Sequence, residues 1–187
     1  MVIWIGSQAN SVAPSEDWLE RNSDVIICAK CRQLMTYRGA VDVEVKSIPR
    51  PLAMGRVLPL GLEFAALTLL DALMAFRHDL VLGKVTVAGG EAVESIATYR
   101  SEQPLRVYGD HLARSYHCDA CGILRYSPLG EQHVFRSDLR GLDVYKGEFS
   151  GIVMTKPVFD AINLKQWKGV AIRRLPIRDE PQGGDRR

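Results

Sequence analysis

Apolar and polar residues alternate most regularly in AVDVEVKSI, residues 40–48, where valines stand between acidic and basic side chains. This period of two predicts a half-buried strand. Three other apolar runs, DVIIC at 24–28, LVLGKVTV at 80–87 and GIVMT at 151–155, also predict strands. The pattern therefore predicts several strands that can share a mixed or antiparallel sheet.

Helical patterns lie between these strands. SEDWLER at 15–21 predicts a short helix capped by Ser15. Apolar positions at 62–76 cover most of a helix surface, with Glu63 among the few polar exceptions, and they predict a buried central helix. The segment EAVESIATYR at 91–100 fits a helix better than a strand.

Proline and glycine mark the boundaries between these elements. PRPLAMGRVLPLG at 49–61 predicts an extended linker, and the pair Gly89 and Gly90 predicts a turn. Residues 150–177 predict a strand, a short helix KPVFDAINL capped by Thr155, and a closing strand. Together these elements predict an α+β fold in a single domain, residues 1–177, followed by a disordered tail, residues 178–187.

Composition narrows the class of protein. The 187 residues are 47% hydrophobic and 25% charged, which is typical of a globular domain. The net charge of +2 gives no broad positive field for nucleic acid, and Glu63 and Asp71 interrupt the most apolar segment, which excludes a membrane span there. The first residues lack the pattern of a secretory signal, so we expect a cytoplasmic protein with reduced thiols.

Four cysteines form two CxxC pairs, Cys28 with Cys31 and Cys118 with Cys121. Two such turns can surround one Zn²⁺, because a gap of two residues lets both sulfurs of a pair face one point at about 2.3 Å from the metal. We therefore predict that these four residues are ligands of a structural zinc ion. His111 and His117 are spare nitrogen donors close in sequence to the second pair.

The two pairs are separated by residues 32–117, 86 in all, whereas zinc ribbons usually have about 15 to 20 residues between pairs. Closing the longer loop costs only roughly 1.5 kcal/mol more, against about 10 kcal/mol for binding of a structural zinc ion. The separation predicts that residues 32–117 fold into a body whose two ends return to the metal.

The residues that follow the pairs differ. Gly122 comes directly after Cys121, where positive φ lets backbone amides turn toward sulfur. Arg32 stands at the equivalent place after Cys31, so we predict that either the first knuckle is distorted or the site is degenerate. Two other uses of the cysteines stay open, namely a redox pair at Cys28 and Cys31 and four buried thiols without metal.

A catalytic set is not evident from the sequence. The chain contains no HExxH, GxSxG, P-loop or Rossmann glycine pattern, and Asp110 beside His111 does not establish an acid–base pair. Arg173, Arg174 and Arg178 alternate with apolar residues, which predicts the solvated side of an edge strand.

Both CxxC pairs and the closing segment YKGEFSGIVMTKPVFDAINLKQWKGVAIRRLPI, residues 145–177, resemble the double-CXXCG family and related immunity proteins of bacterial polymorphic toxin systems. The Cys118, Cys121 and Gly122 knuckle matches that pattern, whereas Arg32 departs from it. The resemblance implies an immunity protein that occludes a cognate toxin without catalysis and without a small-molecule substrate, with zinc in a structural role.

If the toxin is basic, four acidic residues are candidates for the interface, namely Asp42, Glu44, Glu91 and Glu94. Two other classes stay open. One is a zinc-ribbon adaptor that binds nucleic acid, against which the small net charge argues, and the other is an enzyme of unrecognised type.

Overall fold

Strand β1 (Val2–Ser7) lies inside a four-stranded antiparallel sheet in the computed structural model, which describes residues 1–7, 10–35, 39–48 and 53–180. Its neighbours are β12 (Ile152–Thr155) and β13 (Val170–Leu175), and β11 (Val144–Lys146) lies beyond β12. Val2, Ile3 and Ile5 are all buried, because apolar clusters cover both faces of this sheet.

A second sheet has six strands in the order β2-β4-β5-β7-β6-β3. In chain order they are β2 (Ser11–Val12), β3 (Val43–Val45), β4 (Met54–Val57), β5 (Leu62–Ala66), β6 (Leu80–Val87) and β7 (Ala92–Ser101). The pairs β2–β4 and β3–β6 are parallel and the others antiparallel, so the sheet is mixed. The predicted strands at 40–48 and 80–87 both belong to it.

Helix α2 (Leu67–Met74) packs between the two sheets, with Leu69, Leu70 and Leu73 fully buried. The prediction of one helix over 62–76 was wrong in its first third, because residues 62–66 form β5. A segment that is apolar on every side satisfies a buried strand as well as a buried helix. A central apolar helix is present, as predicted, but it is shorter.

Three other predictions from local pattern were wrong in whole or in part. Residues 92–101 form strand β7 rather than a helix, because pairing with β5 and β6 on its two sides overrides the local preference. Residues 24–26 form a turn, with Ile27 in isolated bridges, so DVIIC is not a strand. Of the predicted linker 49–61, residues 49–52 lie outside the described part, and Met54–Val57 is a central strand.

The predicted short helices are confirmed. Helix α1 (Glu16–Asn22) begins after Ser15, whose Oγ accepts a hydrogen bond from the Trp18 N–H at 3.2 Å. Helix α3 (Lys156–Ala161) follows β12 and precedes β13, which gives the predicted strand, helix and strand at the C-terminus.

Strands β8 (His111–His117) and β9 (Leu124–Leu129) form a separate two-stranded hairpin. Short strands β10 (Val134–Phe135) and β14 (Ile177–Arg178) pair in parallel nearby. Strand β14 ends at Arg178, one residue beyond the predicted domain boundary at 177. Residues 181–187 of the predicted tail lie outside the described part. No helix within the described ranges has the length and apolar character needed to cross a bilayer.

Candidate metal centre

The first CxxC turn lies just after α1 and is held by the core. Ile27 is buried and forms a bridge to Leu34 on the far side of the turn. Between them the Cys28 N–H donates to the Gln33 carbonyl at 3.0 Å, and the Arg32 N–H donates to the Cys28 carbonyl at 2.8 Å. These two hydrogen bonds close the turn around the sulfurs.

The second CxxC turn is the tip of the β8–β9 hairpin. Here the Cys118 N–H donates to the Ile123 carbonyl at 2.9 Å, and the Gly122 N–H donates to the Cys118 carbonyl at 2.8 Å. The pattern repeats that of the first turn, residue for residue, so the two knuckles have the same backbone hydrogen bonds although their surroundings differ.

The predicted distortion of the first knuckle is therefore wrong. Arg32 has φ +54°, close to the +70° of Gly122 at the equivalent position. A non-glycine residue can take this conformation at a cost of about 1 to 2 kcal/mol. Arg32 adopts this conformation, and the first knuckle therefore has the same backbone hydrogen bonds as the second.

The two knuckles face each other and bring the four predicted ligands together. The sulfurs of Cys28 and Cys118 are 3.9 Å apart, and those of Cys31 and Cys121 are 3.8 Å apart. All four sulfur atoms lie within 4.8 Å of one another. The two ends of residues 32–117 therefore lie close together at the cysteine cluster, as the sequence predicted.

These separations fit a tetrahedral metal site. Four sulfurs at about 2.3 Å from a central Zn²⁺ would be about 3.8 Å from each other, whereas a disulfide brings two sulfurs to about 2.05 Å. Cys28 and Cys118 are buried, and Cys31 and Cys121 are partly exposed. The cluster is therefore accessible from solvent through the second cysteine of each pair. The four cysteines lie close enough to hold a metal ion.

Electrostatics within the cluster favour a cation. Backbone N–H groups, led by that of Cys121, lower the pKa of the Cys118 thiol to about 6. The Ile123 N–H also favours the Cys121 thiolate, yet burial and the neighbouring sulfurs raise the pKa of that thiol to about 12. A negative charge on one sulfur thus disfavours ionisation of the neighbouring thiol. A bound divalent cation would offset these negative charges and so favour the thiolate forms.

Tyr116 is a residue at this site that the sequence analysis missed. Hydrogen bonding to the Cys31 sulfur, burial and hydrogen bonding to Cys118 raise the pKa of Tyr116. A hydroxyl that donates to a thiolate orients a ligand from outside the coordination sphere. The only sequence signal was its position two residues before Cys118, which predicts no contact by itself.

An ion pair links the outer ends of the knuckles. Lys30 Nζ lies 2.7 Å from Asp119 Oδ1, and this hydrogen-bonded lysine lowers the pKa of Asp119. Both side chains are largely exposed, so the pair contributes little to the stability of the cluster.

The histidines near the second pair do not join the cluster of described metal-binding groups, which contains cysteines alone. His111 and His117 lie at the two ends of β8 and are exposed. Asp110 accepts a hydrogen bond from the Glu131 N–H at 2.9 Å, so its carboxylate has a structural contact in a turn.

The acidic candidates for a partner surface differ in their contacts. Asp42 accepts the Lys84 N–H at 2.7 Å, and Glu44 contacts Ser15 and Arg21. Glu91 and Glu94 are exposed. Of the basic residues, Arg173 and Arg174 lie exposed on β13, the edge strand of its sheet, as predicted.

The sequence matches no protein-family model, and no curated protein matches it. The assignment of the cysteine cluster therefore rests on its geometry.

Proposed function

We propose that Cys28, Cys31, Cys118 and Cys121 hold one structural Zn²⁺, and that the protein is an immunity protein that binds and neutralises a cognate bacterial toxin in the cytoplasm. The observation that supports the metal is the set of four sulfurs within 4.8 Å of one another, in which two pairs are 3.9 and 3.8 Å apart, close to the edge of a ZnS₄ tetrahedron. Thiolate ligands in this geometry favour zinc over hard cations such as Mg²⁺.

A structural role follows from the ligand set. Catalytic zinc sites use three protein ligands and leave one position for water or substrate, whereas four cysteines fill all positions. The metal would join the turn after α1 to the tip of the β8–β9 hairpin, and so connect two parts of the fold that are far apart in sequence. The metal therefore serves the scaffold and leaves binding to the protein surface.

Metal content tests the first half of the proposal. Protein purified without a histidine tag should contain one Zn²⁺ per chain by elemental analysis, and each single Cys→Ser variant should lose most of it. Asp119→Asn, which removes an exposed charge next to a ligand, is the matched control and should retain zinc. A wild-type content far below one per chain, with stability unchanged in chelator, would exclude a structural zinc ion.

The immunity role has two supports. One is the resemblance carried by both cysteine pairs and by residues 145–177. The other is the arrangement of that closing segment, in which β12 and β13 flank β1 and α3 joins the buried core through Val158. A rigid scaffold that presents a surface suits a protein that acts by binding.

A binding experiment tests the second half. The product of the gene next to this one should form a stable complex with the protein, and co-expression should restore growth of cells that produce the toxin alone. If the complex does not form and growth is not restored, the immunity proposal is wrong, whatever the metal content.

A further inference from the structure

A cleft with a volume of about 960 Å³ lies between α2 and the strand pair β5–β7. Its floor consists of Phe64 and Ile96, which belong to the buried core of the six-stranded sheet. Leu67 of α2 and Trp167, both half-buried, line its walls. An apolar floor that continues the core favours the binding of apolar side chains.

Charged groups stand at the edge of this cleft. Asp71 of α2 and Glu94 of β7 are exposed, and neither forms an ion pair with another described residue. Lys168 is exposed on the same edge and is also without an ion pair among the described residues. Among the described residues of the lining, two carboxylates against one ammonium give an excess of negative charge, although the whole chain has a net charge of +2.

The polar groups of the cleft favour a protein segment over a small ligand. Small-ligand pockets usually contain several buried polar groups that converge on the ligand. Here the Trp167 Nε1–H already donates to Thr68 Oγ1 at 3.4 Å, and the charges lie at the exposed edge. This arrangement of apolar floor and charged rim is that of a protein–protein interface.

We infer that this cleft, named here the α2–β7 cleft, binds an amphipathic segment of the partner protein that carries lysine or arginine next to apolar side chains. The apolar side chains would lie on Phe64 and Ile96, and the cationic groups would pair with Asp71 and Glu94. The inference rests on the proposed binding function and names its surface and the chemistry of its partner.

Two labelled synthetic peptides of equal length test the cleft itself, one built from leucine and lysine and the other from leucine and glutamate. Fluorescence anisotropy should show binding of the lysine peptide, weakened by salt, and no binding of the glutamate peptide. The double variant Asp71→Asn/Glu94→Gln should bind the lysine peptide about tenfold more weakly, whereas Glu102→Gln, an exposed acidic control outside the cleft, should bind it normally.

A blocking variant makes the test independent of the carboxylates. Ser95 is exposed and lines the cleft, so Ser95→Arg adds bulk and positive charge without changing the core. It should abolish binding of the lysine peptide while its thermal unfolding midpoint stays unchanged. Equal binding of both peptides, or normal binding by Ser95→Arg, would overturn the inference.

The toxin distinguishes this inference from the proposed function. If the neighbouring gene's product binds the wild type but binds Ser95→Arg equally well, the cleft is not the interface and the immunity role stands. If that product does not bind at all while the lysine peptide binds in a cleft-dependent way, the cleft stands and the immunity role is wrong. Self-association that Ser95→Arg removes would assign the cleft to a second copy of the chain and overturn the inference.

Discussion

Arg32 in the first knuckle has the same positive-φ backbone conformation as Gly122 in the second. Steric space does not require glycine at position 122. A Cβ added at Gly122 would meet no atom within 4 Å. The preference for glycine after a CxxC pair is therefore conformational, and it concerns φ alone. Arg32 gains in return an ion pair with Glu16 at 3.6 Å, which is exposed and weak.

We predict that Arg32→Gly is more stable than Arg32→Ala by about 1 kcal/mol. Both variants lose the ion pair, and only glycine removes the strain of positive φ, which exceeds the gain that alanine makes by restricting the unfolded chain. Urea unfolding of metal-loaded protein measures the difference. Gly122→Ala should destabilise by a similar amount, and equal stability of the glycine and alanine variants at position 32 would contradict the conformational explanation.

Glu63 is a buried carboxylate on β5 that joins the two large sheets. Its oxygens accept hydrogen bonds from the Gly151 N–H at 3.0 and 2.8 Å, and Lys146 Nζ lies 2.8 Å away. Arg56 is 3.6 Å away on the neighbouring strand. The side chains of Glu63 and Lys146 are only 5% and 13% exposed, so each charge depends on the other.

We predict that Glu63→Gln destabilises the protein by about 3 kcal/mol, because it leaves the Lys146 ammonium buried without its counter-charge. The double variant Glu63→Gln/Lys146→Met should lose less than the sum of the single variants, since it removes both charges. Asp160→Asn, which breaks the exposed Lys156–Asp160 pair, is the control and should cost less than about 0.5 kcal/mol. Urea unfolding at neutral pH measures the free energy of unfolding of these three variants and of Lys146→Met alone. Additive losses in the double variant would contradict the coupling.

At the scale of elements, the two predicted helix caps differ in their contacts. Ser15 is buried, accepts the Trp18 N–H and donates to a Glu44 oxygen, whereas the Thr155 side chain makes no capping hydrogen bond to α3. Ser15→Ala should therefore cost about 1 kcal/mol and Thr155→Val close to nothing. Thermal unfolding of the two variants checks this, and equal losses would show that cap residues act here through packing.

The sequence allowed the elements to be predicted where the local pattern alone determines them. Strands β6 and β12 and helices α1 and α3 were predicted from periodicity and caps. Strand β7 could not be, because its extended form depends on pairing with β5 and β6, and the pattern of one segment does not show which strands lie beside it. Residues 62–66 were ambiguous for a related reason, since burial on both faces removes the period that separates strand from helix.

The candidate site was predictable to a similar extent. Its four cysteines follow from the two CxxC pairs, and the loop estimate allowed two distant pairs to meet. Tyr116 was not predictable, because its contact with the Cys31 sulfur arises only when the hairpin tip meets the turn after α1. The sound geometry of the first knuckle was missed as well, since sequence gives the identity of residue 32 but not its φ.

At the scale of the whole molecule, the cysteine cluster joins the tip of the β8–β9 hairpin to the turn after α1. Strands β8 and β9 pair only with each other among the described strands, and none of the described residues of the three buried apolar clusters lies in this hairpin. A two-stranded hairpin is marginally stable alone. Its base is held by the bridge between Tyr108 and His133, and its tip by the knuckle.

Removal of the proposed zinc ion should therefore loosen the hairpin before it unfolds the sheets. We expect hydrogen exchange of the β8–β9 amides to become at least about tenfold faster in a strong zinc chelator, which corresponds to roughly 1.4 kcal/mol of lost local stability, while β6–β7 amides keep their protection because the six-stranded sheet has its own core. Cys28→Ser should reproduce the effect, although residue 28 is distant from the hairpin in sequence, and Lys30→Ala should not. Equal loss of protection in both regions would mean that the metal is needed for the whole fold, and unchanged exchange in the hairpin would mean that the cluster does not hold it.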